Sequence, residues 1–240
     1  MKKFFAGLGI VALMFSANAK ELKFGLNAEY PPFEYIDQNN NIAGFDVDLI
    51  NELGKRLGFE VKLANMGFDA LIPALSTGKI NAIISAMSAT GQRKKAVDFT
   101  NPYFITQNLY IKKATNTQIN NKNDLKNKKV CVQIGTVQEL ASTKLAGVKT
   151  NVNETIATCI MALKSGKIDV VLVDKLVGME YLKKNADLVQ FFEEPDGSEG
   201  MSIGFEKNKH TELIAKINAE LEKMKNDGSY DKLMQKHGLK

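Results

Sequence analysis

Two groups of opposite charge, far apart in the chain, are the residues best suited to hold a small molecule. Arg93 follows a β-branched apolar run and a short stretch holding Ser85, Ala86, Ser88 and Thr90. A guanidinium grips a carboxylate through two parallel hydrogen bonds, which a lysine cannot reproduce. Hydroxyls and free N–H groups between a strand end and a helix start favour the same charge. The plainer reading makes Arg93 a surface residue heading the run Arg93-Lys94-Lys95, with Ser88 and Thr90 as helix caps. Asp174 ends a second apolar run and suits an ammonium group. Its plainer role is to cap the helix that follows. Gly135-Thr136-Val137 is a second strand-to-helix turn, whose N–H groups can meet the same carboxylate. Tyr30 and Phe68 can face each other across a ligand side chain. A carboxylate site beside an ammonium site narrows the ligand from an anion to an amino acid.

Positioning these groups takes an alternating α/β chain. Strands are expected over residues 22–27, 61–64 and 80–86, and helices over 44–58 and 68–77. Leu49, Ile50, Leu53 and Leu57 recur at helical spacing. Pro31 and Pro32 donate no hydrogen bonds, so residues 28–33 read as a loop at a strand end, and 35–41 as a turn. Residues 80–86 read as a strand covered on both faces, and Arg93 as the start of a basic helix. The pattern then restarts, with strands over 108–112, 129–134, 148–152, 168–173 and 188–192 and helices over 138–145, 154–165 and 176–185. Residues 114–129 are rich in Asn and Lys and read as a surface excursion. A strand over 200–206 and helices over 212–226 and 230–237 close the chain. Strand–helix alternation points to mostly parallel α/β sheets. Ligands in such folds sit beyond the strands' carboxyl ends, which places the site in a cleft between two lobes.

The chain opens with Lys2 and Lys3, an apolar run from Phe4 to Phe15, and Ser-Ala-Asn-Ala. This describes a secretory signal over residues 1–19. The run is far short of the about 20 residues that span a bilayer, and no cysteine follows for a lipid anchor. The product is expected to be exported and soluble. The formal net charge of +5 is spread in local clusters without an aromatic-studded basic face, which argues against nucleic acid. Cys131 and Cys159 lie on a strand and a helix. Export permits a disulfide, and a reduced buried pair fits equally well. His210 and His237 are far apart in sequence, and no metal site or cofactor is expected.

The segments Tyr30-Pro-Pro-Phe-Glu, Gly44-Phe-Asp-Val-Asp-Leu, Phe68-Asp-Ala-Leu-Ile-Pro-Ala-Leu, Ser85-Ala-Met-Ser-Ala-Thr-Gly-Gln-Arg93, Asp98-Phe-Thr-Asn-Pro-Tyr-Phe104, Gly135-Thr-Val-Gln138 and Asp227-Gly-Ser-Tyr230 form an ordered set. Together they resemble the extracytoplasmic solute-binding proteins of polar amino-acid ABC transporters, the family of the histidine-, lysine/arginine/ornithine-, arginine- and glutamine-binding proteins. The resemblance implies a two-lobed periplasmic binding protein fold of type II, with two strand crossings as a hinge. Residues 20–107 and 204–240 would form lobe I, and 108–203 lobe II. It implies that Tyr30 and Phe68 sandwich the ligand side chain. Arg93 would clamp the α-carboxylate with Ser88 and the turn at Thr136 and Val137. Asp174 would bind the α-ammonium, assisted by the Ser85 carbonyl and the Thr90 region.

Three positions depart from the pattern. Asn27 stands where many relatives have an acid for the ligand's distal end, Ala86 replaces a common serine, and Val137 a common threonine. The implied partners are a free L-amino acid, basic or polar neutral, and a membrane permease. The protein is expected to be a periplasmic monomer. Two other readings are a dehydratase resembling cyclohexadienyl dehydratase on the same scaffold, for which no nucleophile–base pair or cleft histidine is found, and an amino-acid sensor domain.

Overall fold

The computed structural model describes residues 20–240; the expected secretory signal lies outside the described residues. The first sheet joins β1 (Lys20–Leu26), β5 (Phe59–Asn65), β6 (Ala82–Ile83), β7 (Val97–Phe99) and β13 (Gly204–Glu206) in the order β5-β1-β6-β13-β7. β1 runs parallel to β5 and β6, and β13 antiparallel to β6 and β7. Helix α1 (Phe45–Leu57) buries Leu49, Ile50 and Leu53. It ends at Gly58, whose left-handed φ of 75° lets its N–H reach the Gly54 carbonyl. α2 (Leu71–Ser76), α6 (Thr211–Asn226) and α7 (Ser229–Lys236) complete this half. Leu53, Phe205, Ile217, Leu221 and Met224 share one buried cluster, so the C-terminal helices return to the first sheet.

The second sheet joins β8 (Gln107–Lys113), β9 (Lys129–Gln133), β10 (Lys149–Asn153), β11 (Val170–Asp174) and β12 (Leu188–Pro195) in the order β10-β9-β11-β8-β12. Helices α3 (Val137–Thr143), α4 (Ile156–Lys164) and α5 (Lys175–Lys184) connect its strands. All five residues of β11 are buried, which matches its unbroken apolar run. A disulfide joins Cys131 on β9 to Cys159 on α4, which decides between the two states left open above.

The two sheets are linked through residues 100–106 and 196–203, which bond to each other. Met201 N–H donates to the Phe104 carbonyl at 2.8 Å, and Tyr103 N–H to that of Met201 at 2.9 Å. The architecture is a two-lobed α/β fold with paired crossings.

Several local expectations are corrected. Strand pairing over residues 80–86 is confined to β6, because Ala86 turns into the left-handed region at φ 43° and bends the chain away. Arg93 opens only a 3-10 turn, Arg93–Lys95, because β7 must extend immediately afterwards to reach β13. Residues 29–43 carry a small antiparallel sheet of β2 (Glu29–Tyr30), β3 (Glu34–Ile36) and β4 (Ile42–Ala43), with the prolines between strands. The excursion over 114–129 is anchored, since Ile119 and Leu125 are buried with Tyr110. The strand expected over 200–206 is shortened to β13, preceded by bridges from Met201 to Ser88 and Phe104.

Candidate functional site

A cavity lies where the carboxyl ends of both sheets meet. Tyr30, Phe68, Ala86, Ser88 and Arg93 reach it from the first half, and Gln133, Thr136, Val137, Gln138 and Asp174 from the second; Met201 closes it from a crossing. Eight of the residues singled out in the sequence therefore share one cavity.

Arg93 spans the gap. Its Nη1 donates to the Ser88 carbonyl and its Nη2 to the Gly135 carbonyl, both at 2.8 Å. Its guanidinium carbon lies 5.3 Å from the centre of the Phe68 ring, a cation–π arrangement. Burial brings its pKa down to about 10, against the charge of nearby Asp196, so it remains a cation at neutral pH. Thr90 Oγ1 accepts from the Arg93 N–H at 3.2 Å and thus fixes where the side chain starts.

Glycine is favoured at 135 on two counts. Its φ is +76°, and a Cβ there would sit 3.1 Å from the Asp69 Cα, beside Phe68. The close approach brings the turn against the 3-10 turn Phe68–Ala70. Thr136 caps α3, accepting from Glu139 N–H at 3.3 Å, and its own hydroxyl donates to the Gln133 carbonyl at 2.7 Å. Its side chain is therefore occupied. What the turn offers a ligand is the first-turn N–H groups of α3, which have no partner along the helix.

Asp174 does two jobs with two oxygens. Oδ1 caps α5, accepting from Leu176 N–H at 2.9 Å and Val177 N–H at 3.4 Å. Oδ2 is buried and has no partner. Burial raises the carboxyl to about 6, against the pull of the nearby Thr106 hydroxyl and of those two N–H donors. Burial, and then the Asp174 charge, push the Tyr30 phenol well up, so it stays protonated. A cation at Oδ2 would supply the missing partner.

Asn27 and Ser85 stand behind the cavity rather than in its wall. Ser85 Oγ accepts from Asn27 N–H at 2.9 Å and donates to Glu34 at 2.8 Å. The Asn27 amide donates to the Met66 carbonyl and accepts from Gln133. These partners consume both side chains. Ser88 lines the wall, and its hydroxyl donates to Asp196 at 3.0 Å.

The sequence reading missed Gln133, Gln138, Met201 and Asp196. Gln133 carried a signal, being the only polar residue within a buried apolar run at the end of β9. Gln138 is a buried polar residue in the first turn of α3, held by its bond to Asn108 at 3.0 Å. Asp196 lies in a Pro-Asp-Gly-Ser turn, an ordinary turn sequence. Met201 gave none.

The family profile described as bacterial extracellular solute-binding proteins, family 3, matches residues 22–240. A probable histidine-binding protein of Campylobacter jejuni is 42% identical over 218 residues, covering 91% of this chain and 85% of its own. A solved ancestral arginine-binding protein bound to arginine superposes with a TM-score of 0.86 at 40% identity, covering 90% of this chain and 97% of its own. An ancestral arginine-binding protein bound to glutamine matches with a TM-score of 0.85, also at 40% identity, and with the same coverage.

Proposed function

Because the chain belongs to the bacterial extracellular solute-binding proteins, family 3, we propose that its cavity captures a free L-α-amino acid for delivery to the membrane permease of an ABC transporter. The observation that carries this is the pairing of Arg93 with Asp174 across one cavity, the latter with a buried oxygen that lacks a partner. The ligand carboxylate takes the guanidinium N–H groups left free by the Ser88 and Gly135 carbonyls, together with the N–H groups of Thr136 and Val137 at the start of α3. The ammonium takes Asp174 Oδ2. The side chain lies between Tyr30 and Phe68 and meets the amides of Gln133 and Gln138.

Residues 20–107 with 204–240 form one lobe in this reading, and 108–203 the other. Each lobe supplies half of the partners, so the closed form gains from the ligand what the open form cannot. The protein works as a periplasmic monomer without a cofactor. Among the described residues no helix is long and apolar enough to cross a membrane.

The side chain is basic or polar neutral. Supporting this, the similar proteins are named for histidine and arginine, and one was solved with glutamine bound. A thermal-shift screen of the twenty amino acids tests the reading, since a ligand bound only by the folded state raises stability. Stabilisation by one or a few L-amino acids, lost when the α-carboxyl or α-amino group is removed, is expected. No stabilisation by any of them would overturn it.

A further inference from the structure

Directly behind the cavity wall lie two carboxyl groups that the proposed ligand contacts do not use. Glu34 on β3 is 1% exposed, and Asp46 in the first turn of α1 is fully buried. Glu34 Oε1 accepts from Ser85 Oγ at 2.8 Å. Asp46 Oδ2 accepts from the Ala86 N–H at 2.7 Å and from the Tyr103 hydroxyl at 2.8 Å. The other oxygens, Glu34 Oε2 and Asp46 Oδ1, are buried and receive no N–H or hydroxyl donor. The residues they hold, Ser85 and Ala86, are adjacent, the Asp46 N–H donates to the Phe33 carbonyl at 2.9 Å, and the two carboxyls lie close enough for each charge to bear on the other.

Two carboxylates buried this close together are not both charged without a cation beside them, and one proton held between them would satisfy both orphaned oxygens at once. The groups packed around them supply no compensating cation. From β2 comes the Tyr30 phenol, from the crossing Tyr103, from α7 Tyr230, and from β11 the Asp174 carboxyl. Asp48, two residues along α1, faces outward to Lys236 and His237. Asp46 accepts from two donors and Glu34 from one, so the negative charge is better held on Asp46.

We propose that Glu34 is a carboxylic acid at neutral pH, donates its proton to Asp46, and with it forms the positioning element that holds the bend at Ser85 and Ala86 in binding geometry. Ala86 lines the cavity at φ 43°, a conformation that a residue with a Cβ adopts only when its surroundings impose it. The Asp46 carboxylate imposes it through the Ala86 N–H. Ser88, two residues on, carries the carbonyl that orients Arg93. Glu34 and Asp46 thus act on the ligand only through the bend, and this role rests on the amino-acid reading above.

Infrared difference spectroscopy of the whole mature protein, with and without Glu34→Gln, reads the proton directly. The wild type at pH 7 should show the carbonyl stretch of a protonated carboxyl that shifts in heavy water, and E34Q should lack it. The glutamine amide can still accept from Ser85 and donate to Asp46. E34Q should therefore bind the amino acid within about threefold of wild type, and Glu34→Ala about thirtyfold more weakly.

Asp46→Asn is a second isosteric variant. Its amide donates to Glu34, so the band should vanish there too. A proton held above its unfolded-state affinity also makes the wild type lose stability as pH rises above the ordinary glutamate range. E34Q should lack that part of the slope. Absence of the band in the wild type, or E34Q as impaired as E34A, overturns the proposal. The band and the pH slope need no ligand, so they decide it even if the amino-acid reading fails.

Discussion

The Nε2 of Gln133 lies 2.9 Å from the Oδ1 of Asn27, a hydrogen bond that joins the end of β9 in the second sheet to the residue just after β1 in the first. Gln133 also donates to the Glu154 carbonyl at 3.0 Å, so its amide is fixed on its own side. The bond to Asn27 exists only while the two halves are together. Gln133→Ala should weaken amino-acid binding about five- to tenfold, the worth of one buried hydrogen bond. Titration calorimetry checks this, and an unchanged Kd would remove Gln133 from the closing contacts.

Arg93 cannot be replaced by another cation. Its plane meets carbonyls from both halves at once, and a lysine offers no such fork. Arg93→Lys should cost at least about tenfold in affinity. Arg93→Ala should cost roughly two to three and a half decades, because it leaves a buried ligand carboxylate unpaired at about 3–5 kcal/mol. Near-wild-type binding by R93A would sink the assignment of the carboxylate site.

Asp174 should trade stability for binding. Burial holds its carboxyl at about 6 instead of the ordinary 3.8. With its pKa raised in the fold, its contribution to stability is whole below the ordinary value and is lost as pH rises through about 6. Asp174→Asn removes that penalty, keeps an oxygen for the α5 cap, and has no charge for the ammonium. At pH 7 the empty variant should be more stable by about 3 kcal/mol and should fail to bind. Denaturant melts at pH 4 and pH 7 should show the gain only at the higher pH.

The same group gives binding a pH dependence of defined sign. A ligand ammonium favours the charged carboxylate, so a proton must leave when ligand enters below about pH 6. Affinity should fall about tenfold from pH 7 to pH 5. Calorimetry near pH 6 in two buffers of different ionisation heat should detect proton release. Proton uptake instead would contradict the placement of the ammonium at Asp174.

Cys131 and Cys159 are separated by 28 residues. Closing a loop of that size in the unfolded chain accounts for about 3–4 kcal/mol in the chain-entropy account. Replacing both by alanine should lower the melting temperature clearly, and reductant should lower that of the wild type alone.

The alternation of strands and helices was legible because burial writes itself as periodicity. Apolar spacing in α1 and the unbroken run of β11 are such signals. Eight site residues were legible because charge, hydroxyl and aromatic groups clustered at strand ends. What stayed hidden depends on contacts between distant segments. Ser85 has the residue type of a ligand contact, yet its hydroxyl donates to Glu34, fifty-one residues earlier. Ala86 shows no sign in sequence that its backbone will turn left-handed, because an aspartate forty residues away holds it there. Gln133 has a side chain common in loops, and its role follows only from the meeting of the two sheets.

The position of β13 sets an order on folding. It lies between β6 and β7, yet it enters the chain after every strand of the second sheet. A chain still short of residue 204 holds all five strands of the second sheet, while β6 and β7 have no strand to join them. The first sheet and the helix packing of α1 with α6 and α7 therefore wait for the final stretch of synthesis. The contacts that close it span more than a hundred residues, from β7 to β13, the long-range kind that forms slowly. A chain cut before residue 204 would present two unpaired strand edges, the feature that makes partly made proteins stick to one another.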